Sequence, residues 1–209
     1  LLGLSMKKIL GVIILSLLFS NNLLAQEIKG FFGINFGENA DKYKVGDCNP
    51  CVSEKTPFNI YDVDPELKHD LFTIYYIFST PKSNLITAIY AESEYKYYTM
   101  IVTTSDPTHK NACFSNAKNL LNVLYQKYIK ENSDTYKISL MEKYDAIFLT
   151  PKNGDAAITI TSECRKKEND EPGMEFYKVQ VSTSRSDLIK LEKKEYNEFL
   201  SGNTSTSGF

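Results

Sequence analysis

The chain has no tryptophan and only two histidines, His69 and His109, among 209 residues. It also lacks a complete catalytic motif. No G-x-S-x-G is present. S-x-x-K occurs at residues 79–82 and 115–118, among other places, but neither K-T-G nor S-D-N accompanies it. Both histidines lie in polar, loop-like sequence. We therefore expect no enzymatic activity, no metal site and no cofactor.

Charge of one sign is not concentrated anywhere in the chain. The 24 basic and 26 acidic side chains give a net charge of −2. A nucleic-acid-binding protein would carry a basic stripe, and a protein of the membrane surface would carry a basic amphipathic segment. Neither is present, so we expect neither partner. No segment after residue 25 is apolar for long enough to predict a transmembrane span.

The N-terminal segment has the three parts of a secretory signal peptide. Lys7 and Lys8 form its basic part, residues 9–19 its apolar part, and residues 23–25 (Leu-Leu-Ala) a cleavage site before Gln26. The five residues before Met6 are read as upstream read-through. No cysteine follows the cleavage site directly, so a lipid-anchored N-terminus is not indicated. We predict a periplasmic or secreted protein cleaved near Ala25.

Four cysteines follow the predicted signal peptide, and an even number in an oxidising compartment predicts disulfides. Cys48 and Cys51 form a C-x-x-C sequence. A thioredoxin-like site would place it after a core strand and at the start of a helix, and neither pattern flanks it here. A local structural disulfide is favoured, and a thiol-redox role is the alternative. Zinc is a third interpretation, but the other two cysteines are too widely spaced for a second C-x-x-C pair.

Side-chain direction predicts how the cysteines pair. Cys113 begins an apolar helical stripe that continues at Ala117, so its side chain faces the core. Cys164 shares strand parity with Ile160, so its side chain faces the core as well. These directions predict a disulfide between Cys113 and Cys164 and leave Cys48 and Cys51 to close locally.

Apolar periodicity predicts an α+β domain. Two helices are expected, a central amphipathic one at 107–130 and a C-terminal one at 187–200, with Ser186 as the cap of the second. Segments 38–57 and 165–175 are predicted loops. The fold prediction is a single domain over 26–201, with an antiparallel sheet of about six to seven strands, followed by a disordered tail at 202–209. The predicted strands, the first of them bent, are 30–37, 71–80, 85–92, 97–104, 144–150, 156–164 and 176–183.

Three features carry a resemblance to a group of proteins. They are the opening G-F-F-G-I-N-F-G at residues 30–37, the strand–STPKS–strand hairpin around residues 79–83, and the helix that begins near a cysteine. In these features the chain resembles small exported α+β proteins of Gram-negative bacteria. The resemblance implies a fold and a compartment rather than an activity.

Three function classes follow as hypotheses. The first is a non-enzymatic binding or interaction protein, such as a periplasmic inhibitor or immunity-type protein, whose partner is another protein of the envelope or the secreted milieu. Tyr95, Tyr97 and Tyr98 form its possible partner surface, although strand alternation would bury some of them. The second is an envelope thiol-redox protein, or another enzyme, that uses Cys48 and Cys51. The third is a small-ligand carrier with a pocket between sheet and helix.

Overall fold

The structure is a computed structural model that describes residues 28–47, 58–95, 97–100, 108–141, 143, 145–153, 156–167 and 174–204. Within these ranges the chain forms two helices, α1 (Thr108–Asn132) and α2 (Ser186–Thr204), and a short 3-10 turn at Ala40–Lys42. The strands are β1 (Gly30–Phe31), β2 (Ile34–Asn35), β3 (Lys44–Asp47), β4 (Asn59–Val63), β5 (Ile74–Ser79), β6 (Ile86–Glu92), β7 (Tyr97–Met100), β8 (Tyr136–Met141), β9 (Ala146–Pro151), β10 (Ile158–Lys166) and β11 (Met174–Arg185).

Nine of the described strands form one antiparallel sheet, in the order β3-β4-β5-β6-β11-β10-β9-β8. The ninth, β7, pairs with the first part of β11, while β6 pairs with its middle. The α+β class is as predicted, but the estimate of six to seven strands was too low, because β3, β4 and β8 were not foreseen. β3 and β4 contain Gly, Asn and Asp, which are depleted in strands, and their pairing with neighbours compensates for that composition.

The sheet has two distinct faces because side chains alternate along each strand. We call the side that α1 covers the helix face; Ile77 and Ile89 lie on it as cross-strand partners and are fully buried. We call the opposite side the outer face; Tyr76 and Tyr90 are partners there. A disulfide between Cys113 and Cys164, with Cα atoms 5.7 Å apart, joins α1 to β10, as predicted.

The first predicted strand is in fact a tight hairpin. β1 pairs with β2, and the chain reverses at Phe32 and Gly33, whose φ angles are 57° and 81°. Two consecutive positive φ angles are the geometry of a two-residue hairpin turn. Gly30 is required in this hairpin, since a Cβ atom there would lie 1.8 Å from the carbonyl oxygen of Ile34.

The two helices lie close to their predicted positions. α1 ends two residues later than predicted, and α2 continues to Thr204, into the segment assigned to the tail. Ser186 is the first residue of α2, and its hydroxyl accepts a hydrogen bond from the backbone N–H of Ala157 at 3.0 Å. Neither described helix is both long and apolar enough to cross a membrane.

Two buried glutamates attach α2 to the β5–β6 hairpin. Glu192 accepts a hydrogen bond from the Thr87 hydroxyl at 2.7 Å. Glu195 accepts from the backbone N–H groups of Lys82 and Ser83 and from the Ser83 hydroxyl. Burial raises the pKa of Glu192, and the Thr87 bond offsets this only in part. Burial also acts to raise the pKa of Glu195, but the hydrogen bonds that Glu195 accepts outweigh the effect of burial, so its pKa is lowered.

Replacing Cys113 and Cys164 together by alanine should lower the free energy of unfolding by up to about 4 kcal/mol. The bond closes a loop with a sequence separation of 51, and its loss enlarges the unfolded ensemble. Urea unfolding followed by circular dichroism measures the change. As a comparison, removing Cys48 and Cys51, which lie outside the described residues, should cost about 2 kcal/mol if they close locally. Disulfide-linked peptides that join residue 48 or 51 to 113 or 164 would contradict the pairing.

Glu192→Gln and Glu195→Gln should change stability in opposite directions at pH 7. A raised carboxyl pKa means that ionisation destabilises the folded state, so E192Q should unfold at higher urea concentration than the parent. A lowered pKa means that ionisation stabilises the fold, so E195Q should unfold at lower urea concentration. The Glu192 difference should shrink as the pH falls through the raised pKa of Glu192 towards the ordinary value of 4.5. The Glu195 difference should persist down to 4.5 and shrink as the pH falls further, through the lowered pKa of Glu195. If both variants shift the urea midpoint in the same direction at pH 7, the environments of Glu192 and Glu195 are wrongly assigned.

Candidate functional site

A cavity of about 370 Å³ lies on the helix face, between α1, the β1–β2 hairpin and the segment that joins β4 to β5. β11 forms its floor. Its lining is mainly apolar and aromatic, with three basic side chains. The lining residues are Gly30, Phe31, Phe32, Gly33, Leu67, Lys68, His69, Phe72, Leu120, Leu124, Lys127, Val181 and Thr183.

The helical wall of the cavity follows from the spacing along α1. Leu120, Leu124 and Lys127 lie four and three residues apart, so they share one side of the helix. That side is held against the sheet about two to four turns earlier by the disulfide at Cys113. The buried Ser162 hydroxyl of β10 also donates a hydrogen bond to the carbonyl oxygen of Ala117 at 2.9 Å. The helical wall is therefore attached to β10 by a covalent bond and a hydrogen bond, in addition to its packing against the sheet.

The opposite wall is an aromatic cluster. The Phe32 ring packs edge-on against Phe72 and Tyr75, with centroid distances of 6.1 and 5.3 Å. The Tyr75 hydroxyl accepts a hydrogen bond from the backbone N–H of His69 at 2.8 Å and lies 3.3 Å from the carbonyl oxygen of the same residue. These contacts fix the β4–β5 segment beside the cavity.

The basic side chains lie at the solvent side of the cavity, since Lys68, His69 and Lys127 are exposed while Val181 and Thr183 are buried. Lys68 pairs with Asp64 at the surface. Lys127 forms no ion pair with any described residue. The cavity is thus apolar at its floor and basic at its mouth.

Among the lining residues, no carboxylate is present to act as a general base. The Thr183 hydroxyl is buried and donates to the carbonyl oxygen of Ile89 at 3.2 Å. The Nδ1 atom of His69 accepts from the backbone N–H of Leu71 at 3.1 Å. The Thr183 hydroxyl and the Nδ1 atom of His69 are therefore both engaged by the backbone of the fold.

A second polar group of residues, the outer-face cluster, surrounds Glu92 at the end of β6. The Glu92 side chain is 8 % exposed, and its carboxylate accepts hydrogen bonds from Tyr76 Oη at 2.6 Å, from Gln180 Nε2 at 2.7 Å and from Lys178 Nζ. Burial raises the pKa of Tyr76, and the hydrogen bond to Glu92 adds to the effect. Gln180 Oε1 is the one buried side-chain N or O atom of the described residues without a hydrogen-bond partner.

Aromatic rings extend from this cluster towards β4. Tyr76 stacks on Tyr90 with centroids 4.9 Å apart, and Phe78 stacks on Phe58 at 4.5 Å. An outer sheet face is normally polar, so this half of the face is unusually apolar for a surface in contact with water.

The candidate site residues that were predicted from the sequence lie in different parts of the structure. Cys113 and Cys164 form a structural bond, and Cys48 and Cys51 lie outside the described residues. Tyr95 is 40 % exposed, and its ring lies 4.9 Å from Lys178 Nζ. Tyr97 and Tyr98 lie in β7, paired with β11; only their backbone is described. In the described ranges, no three His, Cys, Asp or Glu side chains are grouped so that they could hold a metal ion.

His69 was expected to be an exposed loop or helix-start residue and not a ligand. It is exposed and lies in a loop, and the structure places this loop at the cavity mouth. Sequence reasoning missed the cavity because its walls come from segments that are distant along the chain. The one local indication was the density of Phe in residues 31–36.

No known protein family, no curated protein and no solved structure matches this chain. The resemblance to small exported proteins therefore stays a prediction.

Lys178→Met should lower the free energy of unfolding by about 1–3 kcal/mol at pH 7, because it leaves a buried carboxylate with only neutral donors. Lys166→Met is the matched control, since its pair with Glu175 is more exposed and should contribute less than about 1 kcal/mol. Urea unfolding of both variants measures the difference. Equal losses would mean that the outer-face cluster does not depend on its cation.

Proposed function

We propose that this chain is an exported, non-enzymatic binding protein that carries a small ligand in the cavity under α1. The observation that carries the proposal is the cavity itself. It is largely apolar, it has a volume in the range of ligand-binding pockets, and its walls are fixed by a disulfide and by hydrogen bonds. Of the three function classes that the sequence left open, this geometry favours the carrier.

The physical driving force is the removal of water from apolar walls. A volume of about 370 Å³ corresponds to roughly a dozen waters at about 30 Å³ each, and the leucine and phenylalanine side chains offer those waters few hydrogen bonds. Displacing them with hydrocarbon yields about 0.8 kcal/mol per methylene group, or about fourfold in affinity.

Two further features support an exported carrier. The predicted signal peptide directs the chain out of the cytoplasm. A disulfide such as Cys113–Cys164 persists mainly in oxidising compartments. The proposal includes no catalysis, because the lining residues pair no nucleophile with a base.

A protein partner on the outer face is the second candidate, favoured by the exposed apolar surface there. Ile74 is 46 % exposed and Tyr95 is 40 % exposed, next to the stacked rings of β5 and β6. Large rigid aromatics in such a position are typical of interfaces. A partner of the cell envelope or the secreted milieu fits this surface. Ile74→Ser and Tyr95→Ser should then weaken the partner and leave binding in the cavity unchanged.

Isothermal titration with pentan-1-ol, hexan-1-ol, heptan-1-ol and octan-1-ol tests the cavity. Affinity should rise up to about fourfold with each methylene group, because each buries more hydrocarbon against the cavity walls. Leu124→Trp should weaken octan-1-ol binding at least about tenfold by filling the space. Val123→Trp is the control, since Val123 is 64 % exposed on the same helix and does not line the cavity.

Circular dichroism must show that both tryptophan variants keep the fold. The proposal fails if no alcohol binds, or if L124W and V123W bind octan-1-ol as well as the parent protein.

A further inference from the structure

We infer that the ligand of the cavity is a single-chain amphiphile with an anionic head group, bound with its hydrocarbon chain on the floor and its head group at the mouth. This inference rests on the proposed function, because it names the ligand class of the same site.

The first argument is the sign of the charge around the cavity. Three of its lining side chains, Lys68, His69 and Lys127, are basic, and none is acidic. The chain as a whole has slightly more acidic than basic side chains, so a purely basic lining departs from its average. Electrostatic complementarity then selects an anion over a neutral or cationic head group.

The second argument is the position of those charges relative to the apolar surface. Lys127 comes from α1, while Lys68 and His69 come from the β4–β5 segment, so the basic groups border the cavity from two elements. Their exposed ends remain hydrated while their carbon stems cover apolar surface. The buried floor at Val181 and Thr183 offers no charge. A hydrocarbon chain with one terminal anion matches this gradient.

The third argument concerns which basic groups are available. Lys127 forms no ion pair with a described residue. The Lys68–Asp64 pair is exposed on both sides, so it is weak and can rearrange towards a ligand. Because His69 Nδ1 accepts a backbone hydrogen bond, the proton of the neutral imidazole resides on Nε2. Nε2 is therefore available as a hydrogen-bond donor to a ligand.

Isothermal titration of the full exported chain with three eight-carbon probes tests the inference. Octanoate should bind about three- to tenfold more tightly than octan-1-ol, and octyltrimethylammonium should bind more weakly than either. Raising the salt concentration should weaken octanoate binding and leave octan-1-ol binding unchanged.

Lys127→Gln should remove most of the preference for octanoate without changing the affinity for octan-1-ol. Lys118→Gln is the matched control, because Lys118 is exposed on the same helix, carries the same charge and does not line the cavity. The double variant K68Q/K127Q should lower the preference for octanoate further than K127Q does, leaving only the contribution of the His69 donor.

The outcomes separate the inference from the function on which it rests. If neither octanoate nor octan-1-ol binds, both are wrong. If octan-1-ol binds as tightly as octanoate, or if K127Q behaves like K118Q, the head-group inference is wrong and the apolar carrier stands. Sedimentation with phosphatidylglycerol vesicles distinguishes a free amphiphile from a membrane lipid. We expect the protein not to bind the vesicles. If it does bind them, and octanoate does not displace it, the inference is overturned.

Discussion

The attachment of α1 to the sheet is the constraint on which the rest of this structure depends. The Cys113–Cys164 bond and the hydrogen bond from Ser162 to Ala117 hold one side of the helix against β10. That side continues into Leu120, Leu124 and Lys127, which form a wall of the cavity. Without a fixed helix, this apolar wall would be free to collapse onto the β11 floor, because burying it is favourable in any geometry. The disulfide thus stabilises the fold and also fixes the position of one wall of the cavity.

β11 connects the two faces of the sheet. It is the longest strand described, and it pairs with β6, β7 and β10. Val181 and Thr183 point into the cavity, while Lys178 and Gln180 point to the outer face and bind Glu92. Because neighbouring side chains of one strand serve opposite faces, a shift of register by one residue would exchange the two sets. The buried hydrogen bonds of Glu92 on one side and the packed core on the other both oppose such a shift.

The outer face divides into two halves of different chemistry. β5, β6 and Phe58, which directly precedes β4, contribute stacked aromatic rings. β10 and β11 contribute hydroxyl groups instead, such as those of Thr161 and Ser182, which lie in register. α2 is fixed to the β5–β6 hairpin by the acceptor oxygens of Glu192 and Glu195. The aromatic half offers a surface for a partner without involving the cavity. The carrier and the interaction hypotheses therefore occupy opposite faces, and each can be tested without disturbing the other.

The sequence by itself determined those features that depend on local periodicity. It predicted both helices, the β5–β6 and β9–β10 hairpins and the partners Cys113 and Cys164, since helix and strand periods fix where each of these side chains points. Only the tertiary structure decided that Lys44–Asp47 and Asn59–Val63 are strands, because pairing with neighbours overrides their weak propensity. The cavity, too, follows only from the tertiary structure. Phe32, His69 and Lys127 come from distant segments with no local pattern in common, and their meeting depends on how a helix, a hairpin and a strand pack together.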